Sequence, residues 1–153
     1  MQVAAAAKPR SDRQRWMAVL ARAERGAIEA CVAGAPALPA HTRLRGPETG
    51  LVMLRGRAGG GGAPFNLSEM IVTRCTVRAA GLIGHAYIAG RDGAKAELAA
   101  TLDAALQNPA IADVLQRIVI EPLQAIEDER RAALAARAAA TRVDFFTLAT
   151  MRA

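Results

Sequence analysis

The chain has 153 residues, 52% of them hydrophobic and 22% charged, with a net charge of +6 and a pI near 10.6. That length suits one domain and leaves little room for a second, and two cysteines, Cys31 and Cys75, are too few for a disulfide-dense secreted scaffold. No apolar run approaches the ~20 residues that cross a bilayer, and the alanine run at 3–7 is too short for a signal segment, so a cytoplasmic protein without membrane contact is expected.

Residues 1–10 read as a disordered leader, and a single domain is expected over 11–150. Ser11 or Asp12 can cap a first helix whose Trp16, Val19, Leu20 and Ala23 share one face at helical spacing. Gly26 is expected to weaken or divide it, leaving a short segment over 27–32 that Gly34, Pro36 and Pro39 stop. From His41 the period changes to two, and four short strands follow at 41–45, 51–57, 69–79 and 82–89. The stretch 46–50, Gly-Pro-Glu-Thr-Gly, separates the first two with turn chemistry, and Gly81 supplies the positive φ of a tight hairpin between the last two. The helical period returns after Asp92, a cap, with Leu98, Leu102, Ala105 and Leu106 as its stripe, until Asn108-Pro109. A helical segment at 111–120 precedes a last helix opened by Pro122 and reaching about residue 140, with Glu127 and Arg131 spaced for a surface pair. The fold class is therefore α+β: N-terminal helices, a four-stranded antiparallel meander and C-terminal helices.

Arginine supplies nearly all the positive charge, which favours planar, bidentate contact with phosphate or carboxylate. Arg43, Arg45, Arg55, Arg57, Arg74 and Arg78 alternate along the strands so that an in-register meander places them on one cationic face, opposite Val52, Leu54, Ile71, Cys75 and Val77. Gly59, Gly60, Gly61 and Gly62 leave backbone N–H groups open to an anion, yet neither the P-loop nor the dinucleotide spacing is present. Cys31, His41, Cys75 and His85 lack zinc-knuckle spacing, so no metal is expected. Cys75 reads as a small buried hydrophobe, and His85 as a hydrogen-bonded structural residue. Asp92, Glu97 and Asp103 gather near one helix start, as the helix dipole favours. No autonomous catalytic set stands out, and the catalytic residues stay unassigned.

Several motifs occur in one order. They are Trp16-Met17-Ala18-Val19-Leu20-Ala21, Glu48-Thr49-Gly50-Leu51-Val52, the glycine loop from Arg57 to Glu69, Val72-Thr73-Arg74-Cys75, Gly90-Arg91-Asp92, and Arg142-Val143-Asp144-Phe145-Phe146-Thr147. Together they resemble the PhnG family, the small G subunit of the bacterial carbon–phosphorus lyase complex, over about residues 11–150. The resemblance implies an accessory subunit, inactive alone, of a transferase that displaces adenine from ATP with a phosphonate. The product is α-D-ribose 1-methylphosphonate 5-triphosphate. It implies I, H and J subunits as core partners, with K and L added, and ATP and phosphonate as substrates of the complex without a cofactor of this chain's own. If this chain touches an anionic substrate, Arg57, Arg74, Arg91 and Gly59–Gly62 are the candidates. Trp16, Phe65, Val143, Phe145 and Phe146 are the candidate partner contacts. The alternative from another class is a small basic nucleic-acid-binding module. The strands lack the aromatic platforms that single-strand binders use, so nucleic acid is not the expected partner.

Overall fold

The computed structural model describes residues 11–57 and 62–142, so the expected leader at 1–10 lies outside the described residues. Helix α1 (Asp12–Arg22) opens on Ser11, whose hydroxyl accepts from the Gln14 N–H while the Gln14 side chain accepts from the Ser11 N–H. This reciprocal pair satisfies two donors that a helix start leaves open. Helix α2 (Arg25–Ala33) follows at once. The break between them falls at Ala23-Glu24, both extended, and not at Gly26, which lies inside α2. Gly34 caps α2 and ends it as expected.

Three strands form one antiparallel sheet in the order β1-β2-β3, not four: β1 (His41–Arg57), β2 (Pro64–Ala79) and β3 (Leu82–Ala89). The expected turn at 46–50 is part of β1. Pro47 is tolerated there because β1 is an edge strand, where a missing N–H costs no ladder bond. The pairing absorbs the irregular stretch with register shifts between Arg43 and Arg45 and between Arg45 and Glu48. Strand β2 likewise starts at Pro64, earlier than the period suggests, with a further shift opposite Leu54 and Arg55. The β2–β3 hairpin turns on Ala80 (φ 48°) and Gly81 (φ 79°), the two positive φ values of a two-residue hairpin turn that matches strand twist.

Helices cover one face of this sheet. Asp92 caps α3 (Gly93–Ala105) by accepting from the Lys95 N–H, and the helix lies across β2 and β3. Its alanines do more than favour a helix. Ala96, Ala99, Ala100, Ala104 and Ala105 are buried and let the helix close on the sheet. At Gly84 the approach is so tight that an added Cβ would lie 1.9 Å from the Ala100 carbonyl oxygen. Asn108 and Pro109 then open α4 (Pro109–Leu115). A π-helical turn (Gln116–Ile120) leads without interruption into α5 (Glu121–Ala140). The widened turn sits just before Pro122, whose ring would otherwise strain the preceding turn. Val19, Leu20 and Ile28 of the first two helices meet Val77, Ile88, Leu102, Leu115, Val119 and Leu123 in a single core. Each such aliphatic contributes about 1.5–3 kcal/mol by full burial.

Strand β3 pairs with β2 only from Val72 to Ala79. Beyond that line β1 and β2 continue as a two-stranded ribbon, formed by residues 51–57 and 64–71, with no third strand.

Candidate functional site

The most heavily engaged polar group in the body is one that the helix-dipole reading leaves at a helix start. Asp103, 0% exposed on α3, accepts from Arg13 Nε (3.1 Å) and Nη2 (2.7 Å), Trp16 Nε1 (2.8 Å) and the His85 backbone N–H (2.9 Å). One carboxylate thus ties α1 to α3 and to the outer edge of β3. Four donors on one buried charge give a closed network, with no acceptor capacity left for a substrate proton. Its neighbours in sequence go elsewhere: Asp92 caps α3, and Glu97 reaches across to β1.

Glu97 accepts from Arg43 Nε (2.7 Å) and Nη2 (2.8 Å) and lies 2.8 Å from His41 Nε2. The Arg43 hydrogen bonds, then that of His41, hold its carboxyl below the usual glutamate range. On the other face of the sheet Glu48 accepts from Arg74 Nε (3.1 Å) and Nη2 (2.9 Å) and from Arg45 Nε (3.1 Å), and Arg74 in particular lowers its pKa. Glu127, expected to make one surface pair with Arg131, is buried and also meets Arg130 at 2.8 Å and Arg22 of α1 at 3.5 Å.

These contacts break up the expected cationic face. Arg43 pairs in register with Val77 and points to the helix-covered side, whereas Arg45 pairs with Thr76 on the open side, because the register shift between them changes parity. Counting alternate residues from Glu48, Arg55 and Arg57 fall on the helix side, while Val52 and Leu54 lie on the open side with Arg74. Ile71, Cys75 and Val77 keep the helix side; Cys75 is buried, its thiol pKa pushed up by that burial. His85 faces the open side, with Nδ1 3.1 Å from the Thr76 hydroxyl, as its alternation with buried Gly84 and Ala86 predicts.

The candidate anion ligands do not converge. Arg57 is at the ribbon's end and donates to the Gly62 carbonyl at 3.0 Å; Gly59, Gly60 and Gly61 lie outside the described residues. Arg57 pairs with Pro64, ten residues along β2 from Arg74, a separation of about 33 Å at strand rise. Arg91 is exposed beyond β3. Among the candidate partner contacts, Trp16 is half-buried and commits its N–H to Asp103, Phe65 is exposed on the ribbon, and Val143, Phe145 and Phe146 lie outside the described residues.

A hollow of about 380 Å³ lies beside α1, lined by Asp12, Arg15, Trp16, Leu106, Asp113 and Gln116, and smaller ones accompany it. One of about 230 Å³ runs between α1 and β3, lined by Met17, Ala18, Ala21, Tyr87 and Ile88. Another, about 150 Å³, lies on the open face beside Glu48, Val72, Arg74 and Tyr87. These last two are smaller than the ~300–1,000 Å³ typical of small-molecule sites. Among the described residues no group of His, Cys, Asp or Glu could hold a metal ion, and no helix is long and apolar enough to cross a membrane. What the surface does present is the ribbon, where Leu51, Met53, Leu54, Phe65 and Leu67 are 37–62% exposed. The sequence signal for it lies in the alternating apolar residues on both sides of the glycines, but 51–57 reads as ordinary sheet and Phe65 and Leu67 read as part of the glycine loop.

Comparison with known proteins agrees with the order of motifs. The family model described as phosphonate metabolism protein PhnG matches residues 11–151. The chain is 45% identical over 142 residues to the α-D-ribose 1-methylphosphonate 5-triphosphate synthase subunit PhnG of Rhizobium meliloti (strain 1021), an alignment covering 90% of this chain and 88% of that protein.

Proposed function

The chain belongs to the PhnG family, and we propose that it is an accessory subunit of the phosphonate-degrading carbon–phosphorus lyase machinery. The reaction it supports displaces adenine from ATP with a phosphonate, giving α-D-ribose 1-methylphosphonate 5-triphosphate. The observation that carries this reading is the 45% identity, along nearly the whole length of both proteins, to a subunit of that synthase. The geometry supports an accessory role over a catalytic one. Asp103, Glu97, Glu48 and Glu127 are each bound to arginines that hold elements together. Nucleosidase chemistry needs a group poised to activate a nucleophile or protonate a leaving base. That work falls to another subunit, with the I subunit as its bearer, and H and J as further core partners to which K and L add. The assembly works in the cytoplasm.

Reconstitution tests this. Methylphosphonate and ATP are supplied to the I, H and L subunits with and without this chain, and adenine release is followed by chromatography. The expected result is strong release only when the chain is present, and none from the chain alone. Release by the isolated chain, or equal release without it, would overturn the accessory reading.

A further inference from the structure

The ribbon carries an inference that deepens this reading and rests on it. A sheet in water shields its apolar side chains on one face and leaves the other polar. The body obeys this: α1 and α3 cover the helix side, and charged or polar residues such as Glu48, Arg74, Thr76 and His85 occupy the open side. The ribbon does not. Leu51 and Met53 fall on its helix side, beyond the reach of the third strand. Val52 and Leu54 fall on its open side. Leu67, the extra residue in the shifted register, also lies there, because a Cβ added at Gly56 on that face would meet Leu67 Cδ2 at 3.3 Å. Both faces are therefore apolar and both are exposed.

A flat docking patch would explain one apolar face. Two apolar faces on one ribbon require cover on both sides. Seven residues of β1 span about 24 Å. The charge at the far end has one sign: Arg57 donates to the Gly62 backbone carbonyl, and neither Arg55 nor Arg57 forms an ion pair with a described residue. A second copy of this chain carries the same net charge of +6, which disfavours it as the partner of this cationic end.

We infer that the 51–57 and 64–71 ribbon is an insertion arm that enters a cleft of another subunit of the synthase, a cleft with apolar walls on both sides and carboxylates near its floor to receive Arg55 and Arg57. The arm is the main anchor of the chain in its complex, and the body stays outside the cleft.

The test uses the full chain coexpressed with the H, I and L subunits, with affinity capture of the chain and light scattering of what elutes. Leu51→Ser with Met53→Ser alters one face, Leu54→Ser with Leu67→Ser the other, and Arg55→Glu with Arg57→Glu the end. Ile126→Ser with Leu134→Ser alters exposed apolar residues of α5 away from the ribbon. Each ribbon variant should weaken partner capture at least tenfold, each face separately, while the α5 variant captures like the wild type. Far-UV circular dichroism melts of the variants alone show whether the body stays folded. If wild type captures partners and folded ribbon variants capture them equally well, the arm is overturned and the subunit reading stands. If only one face matters, the insertion is overturned in favour of a one-sided surface. If wild type captures no partner, the subunit reading falls first. A wild-type dimer abolished by the ribbon substitutions would make a second copy the occupant and overturn the inference.

Discussion

Removing the Asp103 carboxylate should be among the most damaging single changes in this chain, and the structure says by how much. Asp103→Ala leaves the Trp16 indole N–H and the His85 backbone N–H without acceptors, and separates Arg13 from its charge partner. An orphaned buried donor costs about 1–3 kcal/mol. The Arg13 side chain is 39% exposed, so its guanidinium can turn to water and adds less than a fully buried charge would. The sum is about 3–5 kcal/mol, the range for breaking a buried ion pair, and a large share of the ~5–15 kcal/mol that holds a domain of this kind. At about 2–4 °C per kcal/mol, the melting temperature should fall by roughly 6–20 °C. Urea unfolding followed by the fluorescence of Trp16, the chain's one tryptophan, and by far-UV circular dichroism measures it. Arg13→Ala should cost a comparable amount, about 3–5 kcal/mol, because it leaves the fully buried Asp103 carboxylate without a countercharge and with only two neutral donors. A loss under about 1 kcal/mol in Asp103→Ala would refute the reasoning, the hub then being unnecessary. A much smaller loss in Arg13→Ala would show that the two neutral donors alone keep the carboxylate satisfied.

Further outcomes follow from single contacts. Gly84→Ala forces a methyl to 1.9 Å from the Ala100 carbonyl and 2.7 Å from the Ala104 nitrogen, both backbone, and should cost about 3 kcal/mol or more as α3 is pushed off β3. Gly26→Ala meets nothing within 4 Å inside α2 and should stabilise by about 0.5–1 kcal/mol; if the two melts move in the same direction, the packing argument is wrong. Arg43 and His41 hold Glu97 below its ordinary value of 4.5, so its contribution is full above that pH and is lost as pH falls through the lower folded value. Glu97→Gln should therefore flatten the acid limb of stability below about pH 4.5, with Glu48 keeping part of the slope; an unchanged limb would sink the assignment. Cys75 is buried with its thiol pKa raised, while Cys31 is partly exposed, so iodoacetamide should label Cys31 first and Cys75 only under denaturant.

Local chemistry was legible in the sequence, and long-range bookkeeping was not. The Ser11 and Asp92 caps, the Ala80-Gly81 turn and the inward alternation of Gly84, Ala86 and Ile88 depend on residues within a few positions of each other, and all were readable. Pro47 misled because proline is punctuation only in a central strand, and edge status is a property of the whole sheet. The arginine face failed for a related reason: the shift between Arg43 and Arg45 turns Arg45 to the other face, and the shift between Arg45 and Glu48 restores the parity. The pairing then sets Arg43, Arg55 and Arg57 opposite the face of Arg74, with no local signal for either shift. Asp103 left a faint trace, as one acid in the otherwise apolar run Leu102-Asp103-Ala104-Ala105-Leu106. Its donors Arg13 and Trp16, 90 and 87 residues away, gave none.

The body and the ribbon stand in different thermodynamic positions, and that difference is the best guide to how the chain works. The body closes its own account of polar groups: no buried side-chain nitrogen or oxygen among the described residues lacks a partner, and one aliphatic core joins helices α1 to α5 to the sheet. The ribbon inherits order from β2, which runs unbroken from the three-stranded region, but two strands alone are marginal in water. Polar side chains would have kept it soluble at no cost to the body. Leucines, a methionine and a phenylalanine stand there instead, exposed in the lone chain and useful only where water is excluded. A body that buries its own core beside a ribbon that leaves its apolar side chains exposed fits a chain held in place by another protein. That is the physical content of an accessory role.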